Sequence, residues 1–136
     1  MKLKLLLPIL FVIYSCSQDT SIERNDLIKK AGAPLLNGLG SHSFTISSKV
    51  EGVQDYFNQG LIMAFAFNHA ESIRSFKAAQ KLDPNCAICF WGEALALGPN
   101  INVTSDGKAI MSPQERLDAF KRTNKAIALI ELASPK

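Results

Sequence analysis

Two cysteines one helical turn apart carry the sharpest chemistry in this 136-residue chain, in the run Cys86-Ala87-Ile88-Cys89. At the start of a helix, an i, i+3 pair lies close enough to bond, and the local dipole favours thiolate. Such a pair serves as a structural disulfide or as buried thiols, as a labile redox pair, or as half of a metal site. A c-type haem motif requires His after the second cysteine, and Phe90 stands there. Zinc requires a second ligand pair, and the chain has no second such spacing. His69 is the obvious extra ligand, but it opens the helix that ends just before Cys86. About twelve residues at 1.5 Å each put the two roughly 20 Å apart. No Ser/His/Asp order, phosphate loop or paired catalytic carboxylates stand out. We therefore expect no catalytic residue, no metal, no cofactor and no enzyme activity.

Helices must position these residues. Ser48-Lys49-Val50-Glu51 reads as a capping box, and Val50, Val53, Phe57, Gly60, Leu61 and Ala64 then recur on one apolar face to about Ala66. Asn68-His69-Ala70-Glu71 reads as a second cap, opening a helix with Ile73, Phe76, Ala79 and Leu82. Asp83-Pro84 stops it, because proline cannot continue the ladder. A third helix, about Cys86 to Leu97, is apolar on most sides (Ile88, Phe90, Trp91, Ala94, Leu95) and is expected to be buried between neighbours. A loop of roughly a dozen residues follows Gly98-Pro99. The fourth helix has a clear start, with Ser112 as N-cap, Pro113 at the first position and Glu115 closing the box. Leu117, Phe120, Ile127 and Ile130 give it an apolar face to about Ala133. Trp91, Phe65, Phe67 and Phe90 read as core rather than as a ligand box. His42, in the segment before the helices, reads as exposed.

Two helices, a short turn and a closing proline describe one helical repeat. The residues resemble the tetratricopeptide repeat: Gly60, Ser72, Phe76, Ala79 and Pro84 stand at its small, small, aromatic, alanine and proline positions. Tyr56 stands at its first aromatic position, while Gln59 and Met63 depart from the usual leucine and aromatic. A second repeat begins at Ala87, with Phe90 and Ala94 in register. More narrowly, FNHAESIRSF (67–76) and CFWGEALALGPNIN (89–102) look like the first repeats of larger bacterial repeat lipoproteins. The resemblance implies an all-α fold of antiparallel helix pairs in a solenoid, with 48–84 as first repeat and 85–134 as an irregular second. It also implies a concave groove lined by the first helix of each pair, for which Asn58, Gln59, Ile62 and Glu93 are candidates. In stacked repeats the turns within pairs share one edge, so Asn68, His69, Asn100 and Asn102 are expected as neighbours. They either cap helices and satisfy loop backbone or form a small-ligand or ion site beside the long loop. Two repeats make a short solenoid, which implies the opening section of a longer protein or a module that docks on something else.

The chain's first stretch bears on location. Lys2 and Lys4 form a short basic region at the head of an apolar run, Leu3 to Tyr14, too short to span a bilayer and typical of a signal peptide. It closes in Ile13-Tyr14-Ser15-Cys16, which resembles the bacterial lipobox. By that resemblance residues 1–15 are a signal peptide, Cys16 is the lipidated N-terminus, and 16–47 form a tether and lead-in with one loose helical segment at 22–30. Apolar residues make up 47% of the chain, enough for a packed core rather than disorder. The formal charge of +3 falls to about +1 without Lys2 and Lys4, and no basic run interleaved with aromatics points to nucleic acid. With Cys16 acylated, the two cysteines that remain fit an oxidising compartment. These readings converge on a scaffold lipid-anchored to a bacterial envelope membrane, binding a protein or peptide partner and able to self-associate. A redox or metal-binding accessory protein built on Cys86 and Cys89, or the N-terminal repeats of a longer enzyme, are the alternatives.

Overall fold

The structure, a computed structural model, describes residues 16–99 and 111–133. Five helices and no strands are found among them: α1 (Cys16–Ala31), α2 (Val53–Phe65), α3 (His69–Leu82), α4 (Ala87–Leu97) and α5 (Pro113–Ala133). The all-α expectation holds. Residues 1–15, expected as a signal peptide, and Asn100 and Asn102 lie outside the described residues.

The lead-in is more ordered than its composition suggests. In place of a loose segment at 22–30, α1 runs for 16 residues, with Lys29 and Lys30 in its last turn where the helix dipole favours cations. Gly32, in the left-handed conformation at φ 75°, closes it by donating its N–H to the Ile28 carbonyl at 2.8 Å. α1 packs on α3, and Leu27 reaches the core.

The expected capping box at Ser48 is a correction. α2 starts at Val53 behind Gly52, which sits at φ 77° and makes no side-chain cap. A Cβ on Gly52 would come within 2.6 Å of the Leu27 side chain, so close packing on α1 sets this corner. The Ser48 hydroxyl instead donates to Asp83 Oδ2 at 2.6 Å, tying the entry of α2 to the exit of α3.

Between α2 and α3 the chain turns in three residues. Phe67, at φ 59°, is left-handed without being glycine; its N–H meets the Ala64 carbonyl and the Asn68 N–H the Met63 carbonyl. These two bonds close α2 as a Schellman cap. Asn68 then caps α3 as expected, its Oδ1 accepting from the Glu71 amide at 3.3 Å. Beyond the turn, Gly60 lies against Ser72, Gln59 against Ser75 and Phe57 against Phe76, so the pairings run in opposite directions along the two helices.

Phe76 is the centre of the core. Its ring is fully buried, edge-on to Phe57 at 5.5 Å, and seated in two glycine notches. A Cβ on Gly60 would fall 2.9 Å from the ring and one on Gly92 2.3 Å. Glycine on α2 and on α4 is therefore what lets α3 insert its aromatic ring between them. Gly60 was legible as a small position; Gly92 was not singled out.

Helices α4 and α5 differ from expectation in which face turns inward. α4 buries Cys89, Phe90, Gly92, Glu93 and Ala96, while Trp91 and Leu95 are exposed. α5 buries Ala126 and Leu129 against Phe90, and Leu117, Phe120, Ile127 and Ile130 are exposed. The α5 capping box is as expected: the Glu115 amide donates to Ser112 Oγ at 3.1 Å and the Ser112 amide to Glu115 Oε2 at 2.8 Å.

Candidate functional site

Helix α2 carries a row of amides, and the chain's own lead-in lies on it. Tyr56 Oη donates to the Ala33 carbonyl at 2.6 Å, and burial pushes this phenol above its ordinary value while nearby Arg24 opposes the shift. Gln59 Oε1 accepts from the Leu36 amide at 2.7 Å, and its Nε2 donates to the Pro34 carbonyl at 3.0 Å and to Ser75 Oγ at 2.9 Å. Gln54 Oε1 accepts from the Ile46 amide at 3.1 Å, and its Nε2 donates to the Phe44 carbonyl at 2.9 Å. Asn58 Oδ1 accepts from the Phe44 amide at 3.1 Å, and its Nδ2 donates to Ser43 Oγ at 3.0 Å. Each glutamine thus pairs with a carbonyl and the amide two residues later, a main-chain contact that ignores side-chain identity.

This placement revises the groove candidates. Gln59 is only 2% exposed, covered by residues 34–36 rather than open to a partner. Asn58 is half-buried under Ser43 and Phe44, and Ile62 lines a recess of about 370 Å³ beneath residues 35–43, shared with Arg24 and Asp55. Glu93 is a clear correction: it is 1% exposed and lies between helices. Its Oε2 accepts from Gln80 Nε2 at 2.8 Å and pairs with Arg122 Nε at 3.0 Å, and Lys77 Nζ stands 3.6 Å from Oε1. A buried carboxylate with three partners on α3 and α5 ties those helices to α4 and is closed off from a groove ligand by its burial.

The cysteines are joined, Cys86 to Cys89, with Cα atoms 5.3 Å apart. The bond spans the first turn of α4, and both residues are buried in the main core. An oxidoreductase or thiol reagent has no direct approach to either sulfur. Asn68, of the expected polar cluster, is committed to capping. Both ring nitrogens of His69 are shielded from solvent and have no hydrogen-bond partner among the described residues, and its ring stands 6.5 Å from Phe67. The other half of that cluster, Asn100 and Asn102, lies outside the described residues, so the grouping itself is not described. Cys16 opens α1.

Sequence reasoning missed the feature that most stands out as a surface. A cleft of about 760 Å³ opens between α2, α4, α5 and the lead-in. Phe57, Leu61 and Phe65 wall it from α2, Ile88 and Trp91 from α4, and Ile127 and Ile130 from α5. Phe44 closes one side, 6.1 Å from the Phe57 ring, with His42 and Ser47 beside it. Its size falls in the range of ligand pockets, roughly 300–1,000 Å³, and among the described residues His42 is its only ionisable wall residue. Phe65 at 72% and Trp91 at 46% exposure show that the cleft is open to solvent. The signal was present as helical spacing of large apolar residues, which core and cleft share.

Comparison with protein-family models, with curated proteins and with solved structures finds no match to this chain.

Proposed function

We propose that this chain is a helical-repeat scaffold of the bacterial envelope, anchored through lipid on Cys16, that takes an apolar segment of a protein partner into the cleft between α2, α4 and α5. The observation that carries the reading is the cleft itself: large, with no Lys, Arg, Asp or Glu among its described wall residues, and walled by aromatic and aliphatic side chains left in water. Contiguous exposed apolar surface of this kind is the mark of an interaction site. A tetratricopeptide-like reading fits this proposal, because the glycine notches that seat Phe76 draw α2 and α4 together side by side. Two first helices so placed make the floor of a groove, and α5 stands as its far wall.

Trp91 is the chain's single tryptophan and lies in the cleft, so a photo-crosslinking residue at position 91 reports directly on occupancy. Expressed in its own cell, the exported protein should yield a discrete crosslinked partner from position 91, lost on Phe65→Glu and absent from position 116 on the solvent side of α5. An equal ladder of products from both positions, or none from position 91, removes the reading. The anchor has a separate test. Cys16→Ser should leave an unprocessed precursor without acyl label; normal processing and membrane retention would reject it. None of the described helices is long and apolar enough to cross a membrane.

A further inference from the structure

Residues 33–46 meet α2 at two stations, and the two differ in exposure. At the first, Gln59 is buried and braced by Ser75, so its pairing with Pro34 and Leu36 belongs to the core. At the second, Gln54 and Asn58 are half-buried, Asn58 on the wall of the 370 Å³ recess, and hold Phe44 and Ile46 through main-chain atoms. The two amides also brace one another, Gln54 Nε2 donating to Asn58 Oδ1 at 2.9 Å, which orients both toward the bound backbone. Of residues 41–47 only Ile46 is buried; the Phe44 ring leans over Phe57 and is half exposed. The stations are joined through Gly38 and Gly40, both at positive φ with nothing within 4 Å of where a Cβ would stand, so the second can lift without moving the first.

We infer that Gln54 and Asn58 form a subsite that reads extended main chain, occupied here in cis by residues 42–47, and that its partner is an extended, uncharged peptide segment with apolar residues two apart. The inference rests on the groove reading above and names the kind of segment that groove accepts. Selection in that subsite comes from three sources. The amides need a free carbonyl and a free N–H two residues on; the site of Ile46 needs one buried aliphatic side chain; and the Phe57 ring needs an apolar neighbour where Phe44 sits. The seated segment also walls the cleft with Phe44, so exchange at the subsite and entry to the cleft are one event. A tethered occupant competes at high effective concentration, which lowers apparent affinity for any segment arriving in trans until the tethered one is loosened.

The test uses the full chain and a fluorescent peptide with the sequence of residues 41–47. The peptide should bind saturably, and about tenfold more tightly to Ile46→Ser, whose own segment is loosened. N-methylation of the peptide at its Phe and Ile amides should cost at least about tenfold in binding to the unaltered chain, a comparison that needs no variant to fold. Equal binding of the methylated peptide, or no binding to either chain, overturns the inference. Hydrogen exchange gives an independent reading: the Phe44 and Ile46 amides should open well before those of α3. Exchange of all of them in one global event means that the segment is permanent structure and overturns it too. Concentration-dependent dimers that disappear on adding the peptide would identify the occupant as the same segment of a second copy, against a separate partner. If crosslinking from position 91 succeeds while the Phe44 and Ile46 amides stay protected, the groove reading stands and this one fails.

Discussion

Glu93 shows how one residue's meaning turned on what surrounds it. A carboxylate at 1% exposure is tolerable only because Gln80, Arg122 and Lys77 converge on it. Arg122 and Lys77 are partly exposed, so solvent screens part of the attraction and the pair is weaker than a fully buried one. We expect Glu93→Ala to cost about 2–3 kcal/mol in urea unfolding, because Gln80 keeps only the Cys89 carbonyl and Arg122 loses its tie from α5 to α4. Glu93→Gln keeps the contact with Gln80 and should cost about half as much. A neutral effect of Glu93→Ala would mean that α5 does not depend on this carboxylate for its seat. Gln59 teaches the same lesson with no charge involved: its buried amide is what gives the lead-in a polar anchor inside the core.

At the scale of elements, helix approach is limited by side-chain bulk at two positions. Gly92→Ala improves helix propensity by about 1 kcal/mol but drives a Cβ to 2.3 Å from the Phe76 ring. Overpacking of that kind costs about 1–3 kcal/mol, and since neither backbone can yield easily we expect a net loss near 2 kcal/mol. Phe76→Leu in the same chain should recover part of it, giving a non-additive cycle by thermal or urea melts. Strict additivity would show that the notch is not a contact. Helix α5 has a pH-dependent start. The Ser112 amide, and secondarily its side chain, hold the Glu115 carboxyl below its usual 4.5. A depressed carboxylate contributes stability that is complete above the unfolded value and is lost as pH falls through the folded one. The first turn of α5 should therefore fray as pH falls below the ordinary carboxylate range, followed by amide exchange at residues 114–116, while Glu115→Gln should flatten that dependence. An unchanged profile in the variant would remove the cap from the account.

The whole molecule leaves a large part of its apolar surface in water. Phe44, Phe65, Trp91, Ile127 and Ile130 ring the cleft, and Leu117, Phe120 and Leu132 lie along α5 outside it. Burial is worth about 25 cal/mol per Å², so covering these side chains is a strong drive to association. We expect residues 17–136 to self-associate at micromolar concentration and to bind a hydrophobic dye. Phe120→Ser with Leu132→Gln should reduce self-association, while Trp91→Ser should reduce dye binding in the cleft. A monomer at high concentration that binds no dye would show that the apolar faces are closed in solution.

Local chemistry alone determined the helices that begin and end on strong signals. Asn68 and Ser112 cap, Asp83-Pro84 stops, and Phe76, Ser72 and Gly60 meet as their spacing required, because caps, breakers and small-to-aromatic contacts act within one or two turns. The weaker start at Ser48 failed for a tertiary reason: Asp83 takes its hydroxyl and Leu27 fills the space behind Gly52. Helical periodicity could mark apolar stripes on α4 and α5 but not their direction, since a stripe that lines a cleft and one that fills a core have the same period. Only the tertiary structure turned Glu93 inward, turned Trp91 and Ile127 outward, and laid residues 33–46 along α2. The lead-in's hydrogen bonds to Gln54 and Gln59 run through its main-chain atoms, which every residue possesses, and so they leave no trace in the order of its side chains.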